Sequence, residues 1–131
     1  MVTAVCVWLV RFGTKDDVCR YMMEHYGDKE YSMNFSRSYE DMIKDACTSA
    51  DVTAQRSVPF SVKAFVESTS YKDFMEKIIA GGFDTDTDGA IAGGMAAGYF
   101  QEFPFDADEK RIPYRRNECA DRPDFKILLG I

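Results

Sequence analysis

The chain of 131 residues is predicted to form an all-α, compact helical domain, and three observations carry that prediction. Apolar residues recur at three- and four-residue spacing along most of the chain, the period that lines one face of a helix. Ser or Thr opens several of these runs and Gly closes them, the residue types that satisfy the orphan amides and carbonyls of helix ends. No stretch alternates apolar and polar residues well enough to read as a sheet.

Val2, Val5, Leu9 and Phe12 fall at helical spacing, and Gly13 ends the first helix. Thr14 caps the second, with Asp16 and Asp17 in its first turn facing the positive end of the helix dipole. Val18, Tyr21, Met22 and His25 form its inward stripe, which makes His25 a packed core or interface residue, and Gly27 closes the helix. Residues 28–37 are turn-forming and aromatic and read as an irregular connection. Ser38 caps a third helix carrying Tyr39, Met42, Ile43 and Cys47. Thr48–Ser57 is polar and loop-like, which puts Pro59 in the first turn of a fourth helix, where proline is tolerated. Phe60, Ala64 and Phe65 line that helix. Ser70 opens a fifth, with Asp73 at the capping-box position, and Gly81-Gly82 stops it after Phe74 and Ile78. The sixth begins at Thr87 and has almost no side-chain bulk, running through Gly89, Ala90, Ala92, Gly93, Gly94, Ala96, Ala97 and Gly98. Each internal glycine costs on the order of 1 kcal/mol against alanine. The compensating gain is close approach, either of another helix or of a ligand.

Length and an apolar content of 46% fit a single domain over residues 1–131. Residues 1–100 form its helical body, and 101–131 are an extension whose apolar end, Phe125 to Ile131, packs back. The formal charge of −6 argues against binding a nucleic-acid backbone, which requires a basic face. An acidic surface serves solubility or a basic protein partner. Ile112-Pro113-Tyr114-Arg115-Arg116 is the basic cluster, either a solvated patch or an arm for a partner or a phosphate. Cys6, Cys19, Cys47 and Cys119 are far apart without a CxxC pair, so zinc and a disulfide framework are not expected and a reduced, cytoplasmic chain is. Met1–Phe12 is too short for a membrane span and lacks the basic start and cleavage site of a signal peptide, so no membrane role is expected. With one histidine, a nucleophilic triad is not expected either.

The densest chemistry lies in Asp84-Thr85-Asp86-Thr87-Asp88, where three carboxylates and two hydroxyls share five residues. Hard cations such as Mg²⁺ and Ca²⁺ take oxygen ligands of this kind. In an extended segment Asp84 and Asp86 point the same way, and the Thr87 hydroxyl at the helix start can join them. The same residues also suit an N-cap for the helix that follows.

The run Gly82 to Gly93, with its Asp-Thr-Asp-Thr element before a Gly-Ala-Ile-Ala-Gly helix, resembles the C-terminal signature of the ADP-ribosylglycohydrolase family. Ser57 to Ser68, Ser70 to Phe74 and Thr14 to Gly27 are similar to helices of the same family, so the resemblance runs from about Val2 to Phe100. It implies the C-terminal half of that domain. Asp84, Asp86 and Thr87 map onto metal ligands for Mg²⁺, and Gly89 and Gly93 fall on the helix that faces metal and ribose. Asp88 has no counterpart among those ligands. The family's Thr-Asp-Asp element and Gly-Asn-Gly loop do not occur in this sequence.

Two functions follow from the resemblance. One is a binding protein without catalysis that engages a partner protein, for example a virus-encoded inhibitor of a host defence protein. The other is a Mg²⁺-dependent hydrolase that removes ADP-ribose from an acceptor, its site completed by a homodimer or a second chain. Two carboxylates alone hold Mg²⁺ weakly, which favours the binding protein.

Overall fold

The computed structural model describes residues 1–27, 33–46, 52–82 and 84–101. Among them are six helices and no strand: α1 (Val2–Phe12), α2 (Lys15–Tyr26), α3 (Tyr39–Ala46), α4 (Ala54–Val66), α5 (Tyr71–Gly81) and α6 (Thr85–Phe100). The fold is all-α, as the periodicity predicts. Cys47, Cys119, the Ile112–Arg116 cluster and the Phe125–Ile131 end lie outside the described residues. No helix among the described residues is long and apolar enough to cross a membrane.

Local chemistry sets most helix ends. Thr14 Oγ1 accepts the Asp17 amide at 3.2 Å while Asp17 Oδ2 accepts the Thr14 amide at 2.8 Å, a complete capping box. Ser38 Oγ accepts from the Asp41 amide and Ser70 Oγ from the Asp73 amide. The Asp73 carboxylate passes over the N-cap to the Thr69 amide, so α5 has half of the box expected of it. Gly82, at φ +64°, turns the chain out of α5 in a conformation that other residues adopt at a cost.

The core is organised around α4, in which every residue from Arg56 to Phe65 except Lys63 is buried. α4 packs on α2, α3, α5 and α6, and α6 also packs on α1 and α5. Phe60, Phe65, Phe74, Met22, Met42 and Ile78 are among the large side chains withdrawn from water. Burying each such side chain is worth about 1.5–3 kcal/mol, which outweighs the modest helix propensity of any one of these short segments. Lys15 Nζ donates to the Ser68 carbonyl at 2.6 Å and lies within 5.1 Å of the ring centres of Phe65, Tyr99 and Phe100. The start of α2 is thereby tied to the ends of α4 and α6.

Three expectations are corrected. First, α4 starts at Ala54, inside the segment read as loop, and Pro59 therefore stands in the helix interior. The amides of Arg56 and Ser57 close the first turn on the Thr53 carbonyl, and the buried Arg56 side chain holds that turn to the core. Second, His25 is exposed; its Nδ1 lies 2.9 Å from the Tyr21 carbonyl and its ring packs on Tyr21. It occupies the last turn of α2, where a basic side chain suits the negative end of the dipole. Third, the inner stripe of α1 is Val2, Cys6, Leu9 and Val10, rotated from the expected set, and this leaves Phe12 64% exposed.

Candidate functional site

The acidic run lies between the end of α5 and the start of α6. Gly81 brings that end of α5 against Phe60, since a Cβ at this position would lie 2.3 Å from Phe60 Cζ. After Gly82 turns the chain, Asp84 occupies the N-cap of α6, and its carbonyl accepts the Asp88 amide at 3.0 Å. α6 thus begins at Thr85, two residues before the expected start. Asp86 and Thr87 lie in its first turn, not in an extended segment. The reason is electrostatic: Asp86 and Asp88 are favoured next to the positive end of a 16-residue helix, so the helix extends back over them.

Helical geometry separates the carboxylates that an extended strand would align. Asp84 is half-buried, while Asp86 and Thr87 are exposed. Asp88, four residues on from Asp84, turns inward and is fully buried. Asp84 is near enough to Asp88 to disfavour its charge. The Asp84 side chain caps no amide. Its oxygens, with those of Asp86 and Thr87, form a donor set chemically suited to a hard cation. Among the described residues no three of His, Cys, Asp and Glu converge on one point as metal ligands do. Gly89 faces α5, where a Cβ would touch Ile78 at 3.8 Å, and at Gly93 a Cβ would meet nothing within 4 Å.

Beneath the turn is a polar cluster that sequence reasoning missed. Arg56 Nη1 donates to Asp88 Oδ2 at 2.6 Å, with the two side chains 1% and 0% exposed. Ser61 Oγ lies 3.4 Å from the other carboxylate oxygen and also bonds the Ser57 carbonyl. The Arg56 guanidinium stands over the Phe60 ring at 5.1 Å. Burial raises the Asp88 carboxyl above the ordinary carboxylate range, and the hydrogen bond and charge of Arg56 pull it part of the way back. The Ser57 hydroxyl is close enough to favour the carboxylate electrostatically but forms no hydrogen bond. It stays unpartnered, as do Nε and Nη2 of Arg56. A signal for Asp88 was present in the sequence: with Ala92, Met95 and Ala96 it completes the inward stripe of α6 at helical spacing. Arg56, four residues before Phe60, lies on the inward face of α4 in the same way.

The site therefore has two tiers. Asp84, Asp86 and Thr87 are uncommitted oxygen donors at the surface, and the Arg56–Asp88 pair below locks the first turn of α6 onto α4. No family model, curated protein or solved structure matches the chain.

Proposed function

We propose that this chain is a stand-alone half-domain of ADP-ribosylglycohydrolase type that acts by binding a partner protein and does not turn over a substrate. The observation that carries this reading is the outer face of α1, where Met1, Val7, Trp8 and Phe12 are 97%, 47%, 59% and 64% exposed. Large apolar side chains gathered on one helix face mark an interaction surface, and Trp is the residue type that most often anchors one. The alternative, a Mg²⁺-dependent hydrolase acting on ADP-ribosylated protein, is favoured by a different observation. Asp84 is held half-buried at the N-cap with its carboxylate unused as a cap, beside exposed Asp86 and Thr87. In that case the ion would be held by those three residues, and α6 amides near Gly89 would favour the diphosphate.

Titration calorimetry with ADP-ribose, with and without Mg²⁺, beside a hydrolysis assay on an ADP-ribosylated protein, decides between the two. The binding-protein reading expects neither heat of binding nor turnover. Turnover that disappears in Asp84→Ala and Asp86→Ala would overturn it in favour of the hydrolase.

A further inference from the structure

We propose that the occupant of the α1 face is a second copy of this chain, in a two-fold symmetric dimer. This rests on the reading of α1 as a protein-binding surface and names the partner. The face carries both halves of a complementary contact. Trp8 and Phe12 project from it one helical turn apart, their ring centres 5.5 Å from each other. Beside them, between α1 and α6, runs a cleft of 540 Å³ with Val7, Val10 and Arg11 on one wall and Gly94, Gly98 and Tyr99 on the other. A Cβ at Gly94 or Gly98 would meet nothing within 4 Å, so the floor of the cleft is two hollows.

The hollows are also one helical turn apart, roughly 6 Å along the axis at 1.5 Å per residue. Two rings spaced by one turn thus face two hollows spaced by one turn. A two-fold axis lets each copy present its rings to the other's cleft, which is the self-complementarity that closed dimers require.

Charge selects the same partner. The chain carries a net −6, yet α1 has no acidic residue and only Arg11 as a charge. Two copies can therefore meet through α1 without acid facing acid, whereas a basic partner would be drawn to the acidic remainder of the surface. An antiparallel crossing centred on Val7 sets the two Arg11 residues roughly 12 Å apart along the axis. That exceeds the screening length of about 8 Å at physiological salt, so their repulsion is small.

Area sets the strength. The exposed parts of Met1, Val7, Trp8, Phe12 and Tyr99 come to roughly 600 Å², taking about 150–250 Å² for each large side chain. A stable complex buries about 800 Å² per partner, so the dimer is a weak one, with a dissociation constant in the micromolar range.

Sedimentation of the full chain from about 1 to 500 µM brackets such a constant, and acrylamide quenching of Trp8, the single tryptophan, reports on the face itself. The mass should rise from 14.9 kDa towards twice that value, with Trp8 becoming shielded over the same range. Trp8→Glu should abolish the rise. So should Gly98→Leu, which fills a hollow that is open in the single chain and leaves the helical circular dichroism intact. A dimer that persists in both variants would overturn the assignment of the face. A species of 14.9 kDa at every concentration overturns the dimer. If its Trp8 is freely quenched, another protein remains as the occupant. If Trp8 is shielded in that monomer, the face is covered within the chain, and the reading of α1 as a protein-binding surface falls as well.

Discussion

Replacing Asp88 by Asn tests the buried pair beneath the acidic turn. The substitution keeps the side-chain volume but removes the charge facing Arg56, which is itself fully buried. Arginine cannot escape by losing its proton, and two of its nitrogens already lack partners, so an uncompensated charge stays in the core. Breaking such a pair from one side costs about 3–5 kcal/mol, against a total stability of about 5–15 kcal/mol for a domain. At about 4 °C per kcal/mol for a chain of this length, Tm should fall by roughly 10–20 °C. Arg56→Met should cost less, because Asp88 can become neutral by taking up a proton. That variant acquires a characteristic pH dependence. A carboxyl whose folded pKa is raised above 3.8 contributes stability below its unfolded pKa and loses it as pH rises through the folded value. Arg56→Met should therefore be more stable in mild acid than at neutral pH. The double variant Arg56→Met with Asp88→Leu should recover to within about 1–2 kcal/mol of the parent, since an apolar pair needs no compensation. Urea unfolding followed by circular dichroism measures all four chains. A loss under about 1 kcal/mol for Asp88→Asn, the worth of an exposed pair, would refute the reasoning, because it would mean that the guanidinium finds water.

Two glycine substitutions should move stability in opposite directions by thermal melting. Gly81→Ala drives a methyl into the buried Phe60 ring, 2.3 Å from its nearest carbon, and should cost about 1–3 kcal/mol. Gly94→Ala, in open space inside α6, should stabilise by about 0.5–1 kcal/mol. Acid should destabilise the chain through three capping carboxylates. Asp17 is held below the usual range by hydrogen bonds from Thr14, Asp41 by Lys44 and Ser38, and Asp73 by Lys77 and Thr69. Their contribution is complete above the unfolded value of 3.8 and is lost as pH falls through the lower folded values. Melting curves between pH 6 and pH 2 should show that loss, and it should be smaller in Asp17→Asn.

Helix ends were legible from the sequence wherever their chemistry spans three or four residues. The Thr14–Asp17 box, the Ser38 and Ser70 caps and the Gly81-Gly82 stop need no information beyond their neighbours in the chain. The acidic run was visible for the same reason, as a cluster of oxygen donors within five residues. Its geometry was not, because whether Asp84, Asp86 and Thr87 are extended or helical depends on how far α6 extends back along the chain. The first turn of α4 was hidden because its side chains are polar, and a polar run reads as loop until a partner is known. That partner is Asp88, 32 residues away, and only packing of α6 on α4 brings the two together. Which side of α1 faces out was equally a tertiary matter: nearly every residue of that helix is apolar, so periodicity alone could not orient it. Capping and helical period act over one or two turns and are written into the chain. The burial of Arg56 and the exposure of Trp8 and Phe12 depend on contacts between distant helices, and only the assembled fold decides them.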